Sequence, residues 1–160
     1  MKTLIVLSDT HGNKAGVEAL APLVKENDYA VHLGDGYGDF RETFFENPDK
    51  AYFCGGNCDL LAGLPAEGVL EIERTRIFYC HGHKYGVKSG LQNLAYRAKE
   101  LDCSVALYGH THLANIAEMG GVTLVNPGTL RYPLDCGGSY AYLVVNGEKV
   151  TAVIVGNPMR

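Results

Sequence analysis

Two histidines, His110 and His112, stand two residues apart in the stretch Tyr-Gly-His-Thr-His-Leu-Ala (108–114), directly after an apolar run at 104–108. In an extended segment, residues at i and i+2 point the same way, so both imidazoles can reach into one pocket. Residues of similar chemistry recur at equivalent places. Ser8-Asp9-Thr10-His11 follows the run 3–7, and Gly34-Asp35 follows 29–33. Gly55-Gly56-Asn57-Cys58-Asp59 follows 51–54, and His81-Gly82-His83 follows 77–80. Five of the six histidines and the carboxylates Asp9, Asp35 and Asp59 thus sit just past apolar runs, and only His32 lies inside one.

Imidazole combined with carboxylate and amide oxygen suits borderline divalent ions such as Mn, Fe, Ni, Co or Zn, in contrast to the thiolates of structural zinc. Asp9, His11, Asp35, Asn57, His81, His110 and His112 are more ligands than one ion needs. They fit two ions about 3.5–4 Å apart that share a carboxylate. Asp35 is the natural bridge, because it follows a bare glycine in a tight turn near the middle of the set. Two such ions polarise a phosphoryl oxygen and generate hydroxide from bound water near neutral pH.

The five runs must be the elements that position these groups. Each is four or five residues long, β-branched or aromatic, and bounded by Gly, Asp or Asn, which predicts buried strands. In open α/β sheets, ligands bind beyond the carboxyl ends of such strands. Val17, Leu20, Ala21 and Val24 follow helical spacing, with Pro22 expected to kink or end that helix. Leu91, Leu94, Ala95, Ala98 and Leu101 form a second apolar stripe, and Ser89 with Gln92 predicts a capping box at its start. Beyond residue 114 the texture turns to strands, and 139–156 reads as a hairpin with a type I′ turn at Asn146-Gly147. Alternating strands and helices followed by antiparallel strands predict a layered α/β fold with two packed sheets.

Composition sets the outer limits. The 160 residues fit one domain, 1–160, and 46% hydrophobic with 20% charged residues is the balance of an ordinary globular chain. A net charge of −4 argues against a nucleic-acid backbone as the main partner. The first apolar run ends at Asp9, too soon for a secretory or membrane-spanning segment. Five cysteines with no C-x-x-C pair read as reduced thiols, so the expected location is cytoplasmic.

The ordered set of motifs resembles the calcineurin-like metallophosphoesterases: Asp9-x-His11, Gly34-Asp35, Gly56-Asn57-Cys58-Asp59, His81-Gly82-His83 and Gly109-His110-Thr111-His112. The segments 126–130 and 137–141 extend the likeness, which is greatest to the small YfcE-type phosphodiesterases. The resemblance implies a four-layer αββα sandwich of two mixed sheets flanked by helices. It implies one metal held by Asp9, His11, Asp35 and His112, and a second by Asp35, Asn57, His81 and His110. His110 and His112 would then serve different ions. Mn²⁺ is the usual activator in such relatives, with Ni²⁺, Fe²⁺, Co²⁺ or Zn²⁺ as alternatives.

Many members carry histidine in the third motif, thought to stabilise or protonate the leaving group; here Cys58 stands there. A thiol replaces imidazolium poorly, so substrates with good leaving groups should suffer least and diesters should be preferred to monoesters. The expected function is a metal-dependent phosphodiesterase in which Asp35, Asn57 and His83 are catalytic, and Asn57, Cys58 and His83 contact a small phosphodiester. The rivals are a non-catalytic scaffold, as the small retromer subunit of similar fold is, and a nuclease. Retention of all seven candidate ligands favours catalysis, and the acidic charge disfavours the nuclease. No membrane or nucleic-acid partner is expected, and exposed strands in the C-terminal half could pair edge to edge in a homodimer.

Each residue also has a plainer role. Asp9 could cap a helix beside a solvated His11, and Asn57 could be a turn residue. His83 could orient a ligand, contact phosphate or sit on the surface. His32 is expected in the core, and Asp59 as an orienting or capping group. Cys54, Cys80 and Cys103 are expected to pack as small hydrophobes. Tyr37, Phe40, Phe44 and Phe45 could be helix core or pocket wall.

Overall fold

The computed structural model describes residues 1–44, 49–59 and 63–158. Phe45 lies outside the described residues, as does the side chain of Phe44.

The predicted runs become strands β1 (Lys2–Leu7), β2 (Tyr29–His32), β3 (Ala51–Phe53), β5 (Thr75–Cys80) and β6 (Val105–Leu107). The remaining strands are β4 (Glu67–Ile72), β7 (Asn115–Met119), β8 (Val122–Asn126), β9 (Ser139–Asn146) and β10 (Lys149–Gly156). They form two five-stranded sheets, ordered β10-β9-β1-β2-β3 and β4-β5-β6-β8-β7. Both are mixed. β1, β2 and β3 run parallel while β9 and β10 are antiparallel to their neighbours. β5, β6 and β8 run parallel, flanked by antiparallel β4 and β7.

The period-2 alternation of strand side chains explains why the runs are apolar on both faces. Leu4, Val6, Val31 and Leu33 meet Ile77, Tyr79, Val105 and Leu107 between the two sheets. The alternate residues Ile5, Leu7 and Ala30 turn outward onto Val17, Leu20, Val24 and Phe40. On the other side Phe78, Cys80 and Ala106 turn outward onto Leu94, Ala95 and Ala98. The result is the expected four-layer sandwich of two mixed sheets between helices. Among the described residues, no helix is long and apolar enough to cross a membrane.

The first helical pattern is split into α1 (Lys14–Ala19) and α2 (Ala21–Glu26), with Pro22 in the first turn of α2. Proline is tolerated there because its missing N–H would have no partner anyway. Asn13 caps α1, accepting from Gly16 N at 3.1 Å. Helix α3 (Tyr37–Phe44) follows the Asp35 loop, and buried Phe40 packs against the His32 ring, so Phe40 is core. Tyr37 packs against Phe53 with the rings tilted and their centroids 4.8 Å apart.

Two local expectations fail. Helix α4 (Gln92–Glu100) has Leu91 as N-cap with no side-chain cap bond, so the Ser89–Gln92 capping box does not form. Gly90 intervenes at φ +155°, and Ser89 instead donates its N–H to Gly86 O, so the chain enters the helix too late for Ser89 to cap it. In the β9–β10 hairpin, Asn146 pairs with Lys149, which makes Gly147-Glu148 the loop. Only Gly147 has positive φ, whereas type I′ requires it at both central residues. Strand β9 therefore runs one residue further than the Asn-Gly signal implies.

Candidate metal centre

The loops after β1, β2, β3, β5 and β6 converge at the carboxyl ends of the parallel strands of both sheets. Their backbone is unusual. Asp9, His11, Asp35, His110 and His112 have φ of +53°, +42°, +58°, +70° and +62°. Non-glycine residues in this left-handed region cost roughly 1–2 kcal/mol each, so surrounding contacts must hold them there. Asp9 N donates to Gly34 O and His11 N to Asp35 O, both at 3.0 Å, which ties the first two loops together. Asp59 accepts from the backbone N–H groups of Asp35, Gly36 and Gly56 at 2.7, 3.1 and 2.9 Å, and so fixes the Asp35 turn. Gly56 must lack a side chain, since a Cβ there would lie 2.1 Å from Asp35 Oδ1 and 2.6 Å from Asp35 N.

The predicted side chains meet in two groups. Asp9, His11 and His112 form one, and Asp35, His81 and His110 the other, with the donor atoms of each group mutually within 4.8 Å. In the first, His11 Nε2 and His112 Nε2 are 3.3 Å apart, and Asp9 Oδ1 lies 3.2 Å from His112 Nε2. In the second, His81 Nε2 lies 3.2 Å from both His110 Nδ1 and Asp35 Oδ2. Asp35 Oδ2 also lies 3.8 Å from His11 Nε2, so this one oxygen faces both groups.

Neighbouring residues aim the donors. His81 Nδ1 donates to Leu33 O at 2.7 Å, which turns Nε2 toward the pocket. Ser8 Oγ donates to Asp9 Oδ2 at 2.5 Å, and His110 N donates to the same oxygen at 3.0 Å. Thr129 Oγ1 donates to Asp9 O at 2.7 Å, and Asn126 Nδ2 to Gly109 O at 3.2 Å. The Asn-Pro-Gly-Thr segment is thus a brace for two ligand loops rather than a bare turn. Ser8, Asn126 and Thr129 had no role in the sequence reading, although their places beside the motifs were visible.

Electrostatics agree with a site for cations. Burial raises the Asp9 carboxyl, but His112, His81 and Ser8 outweigh it and hold the pKa below the usual value. Burial likewise opposes ionisation of Asp35, and His81 with the Cys58 amide more than reverses it. Both carboxylates are anionic in a buried place. His81 feels desolvation first, but Asp35 and Asp9 raise its pKa, so a proton and a metal ion compete for Nε2. Burial, then His81, lowers the pKa of His110, favouring the neutral ring that ligates.

The residues fit divalent ions. Asp9 Oδ1 is buried and makes no hydrogen bond, despite lying within 3.8 Å of three imidazole nitrogens. Such an orphaned anion is costly unless a cation meets it. Donors bound to one ion at about 2.0–2.2 Å lie about 3.0–3.5 Å apart, as the close pairs here do.

The other predicted residues lie at the rim. Asn57 is exposed, its carboxamide 3.6 Å from Cys58 Sγ. Cys58 is exposed, with its N–H donating to Asp35 Oδ1 at 2.8 Å. His83 is half-buried in a 3₁₀ turn, its ring 5.3 Å from that of His81 and 6.0 Å from that of His110, with Nδ1 buried and unbonded. His32 is in the core as expected, taking a hydrogen bond from Gly34 N at Nδ1 and meeting Thr10 Oγ1 through Nε2.

The profile of the calcineurin-like phosphoesterase superfamily domain matches residues 1–148. The chain belongs to that superfamily. Among its relatives, the probable metallophosphoesterase YsnB of Bacillus subtilis is 31% identical over 150 residues, covering 92% of this chain and 87% of its own. Phosphodiesterase YfcE of Escherichia coli is 28% identical over 181 residues, covering 98% and 94%. A predicted phosphoesterase of Streptococcus pneumoniae superposes with a TM-score of 0.82 at 27% identity, over 97% of this chain and 89% of that one. A Vps29 variant of Entamoeba histolytica superposes at 0.76 and 20% identity, covering 97% and 99%, a likeness of fold. Membership makes the chain a metallophosphoesterase by family and accounts for the grouping of Asp, His and Asn at one rim.

Proposed function

We propose that this metallophosphoesterase is a two-metal phosphodiesterase acting on small phosphodiesters. The observation that carries the reading is the Asp35 carboxylate, whose Oδ2 faces His11 on one side and His81 on the other. Asp9, His11, Asp35 and His112 would hold one divalent ion, and Asp35, Asn57, His81 and His110 the other, with Mn²⁺ the expected ion. Bound there, such ions would supply Lewis acidity toward phosphoryl oxygens and toward a water nucleophile.

The chain's own groups do the rest. Asp9 and Asp35 keep their negative charge in the buried pocket and balance the cations. The Leu33 carbonyl and Asp59 carboxylate keep His81 and the Asp35 turn in register. Asn57, at the open rim, orients the phosphoryl group. His83, whose ring lies 5.3 Å from that of His81, would pass a proton to the departing oxygen. Burial and His81 lower its pKa, which makes its protonated form the stronger acid. Cys58 offers little help with protonation, which favours diesters with stable leaving groups.

The test is hydrolysis of bis-p-nitrophenyl phosphate by chelator-stripped protein with and without Mn²⁺. Activity should return with the ion and exceed that on p-nitrophenyl phosphate. No hydrolysis with any divalent ion, despite measured binding, would overturn the catalytic reading and favour a metal-binding scaffold.

A further inference from the structure

Resting on the two-metal reading, we infer that Cys58 is a conditional ligand: a thiophilic ion bound between His11 and Asp35 recruits its sulfur, whereas a hard ion leaves the thiol free. A nitrogen of His11, an oxygen of Asp35 and Cys58 Sγ lie mutually within 4.8 Å, a third donor group that overlaps both others. The Cys58 backbone is tethered to the carboxylate by its 2.8 Å bond to Asp35 Oδ1. The thiol is exposed, so it can turn inward without disturbing the core. A second observation bears on the His11 end of this group: fully buried Asp9 Oδ1 makes no hydrogen bond and lies 3.7 Å from His11 Nε2, so an ion held by His11 also meets an unpartnered anion.

The chemistry follows from ligand softness. Oxygen donors suit Mn²⁺, whereas thiolate favours zinc and softer ions. When such an ion enters, the Cys58 S–H bond breaks, its proton passes to solvent and a sulfur–metal bond forms, with no change in oxidation state. A sulfur ligand would leave such an ion with fewer positions open to a phosphoryl oxygen. The identity of Cys58 would therefore make the ion choose between turnover and a closed, inactive centre.

Cd²⁺ is the probe. Chelator-stripped protein titrated with Cd²⁺ should develop the ultraviolet sulfur-to-cadmium charge-transfer absorption and release protons into weakly buffered solution. C58S should lose the absorption while still binding Cd²⁺ by equilibrium dialysis. C136S, which removes the other exposed cysteine, should keep the absorption. Inhibition of the Mn²⁺-supported reaction by Cd²⁺ should weaken by about tenfold or more in C58S. Cd²⁺ bound without absorption in the wild type, or absorption unchanged in C58S, overturns the role of Cys58 and leaves the metal centre standing. Absence of any Cd²⁺ or Mn²⁺ binding overturns both.

Discussion

Asp35 is where a single atom can be tested. Its Oδ1 is engaged by the Cys58 amide, which leaves Oδ2 to face His11 and His81. Asp35→Asn keeps the shape but removes the negative charge shared by both donor groups. Metal affinity should fall 10- to 100-fold or more, with a loss of hydrolysis at least as large. Calorimetric titration with Mn²⁺ and initial rates check this, and wild-type affinity with wild-type rate would sink the bridging role. At this scale the sequence was most legible, because Asp and His past a strand end have few reasons to recur five times. What it left open is equally local. The exposure of Asn57 and the open Nδ1 of His83 depend on where loops of two sheets meet, which spacing alone does not encode. Ser8, Asn126 and Thr129 were given no role because hydroxyls and amides that aim a ligand look like ordinary turn residues.

At the scale of elements, the loops lean on glycines and on one buried histidine. Gly56→Ala would drive a methyl group into the Asp35 turn, where backbone as well as carboxylate must move. Metal binding should be lost and stability reduced by roughly 1–3 kcal/mol, with far-ultraviolet circular dichroism unchanged. Wild-type metal affinity in that variant would show the turn to be more yielding than described. His32 offers a test by pH. Desolvation lowers its pKa to about 4, against Asp59, Asp9 and Asp39, which act to raise it. A depressed pKa means the unfolded chain binds the proton first, so this contribution is full above about 6.5 and is lost as pH falls toward 4. The loss is on the order of 3 kcal/mol from the separation of the two values. His81, with its raised pKa, acts in the opposite sense, so the comparison of interest is wild type against His32→Gln. Urea denaturation of metal-free protein between pH 7 and pH 4.5 should show the smaller pH dependence in the variant. Equal slopes would remove His32 from the account.

The central strands β1, β2, β5 and β6 were legible as short apolar runs because both of their faces are buried. The half-buried edge strand β3 was legible because its run is apolar as well. β4 was not, since Glu67 and Glu71 interrupt it and it is an edge strand with one partner. The capping box failed for a related reason: Ser89 and Gln92 have the right spacing, but Gly90 between them takes a conformation that no spacing rule records.

For the whole molecule, charge and shape bear on what can approach. A net charge of −4 leaves no excess of cations to track a phosphate backbone. Excess single- or double-stranded DNA should therefore leave hydrolysis of a small diester unchanged at low salt. Competitive inhibition by either would revive the nuclease reading.

The first sheet is not built in the order in which the chain is made. β1 carries the loop of Asp9 and His11, yet its neighbours are β2 on one side and β9 on the other. A chain emerging from the ribosome at about 5–20 residues per second exposes β1 long before β9 exists to cover it. Until the 139–146 segment arrives, Lys2–Val6 presents an unpaired edge on the side that β9 will cover. During synthesis, the hazard of mispairing along β1 is therefore set by a strand that supplies no ligand of its own.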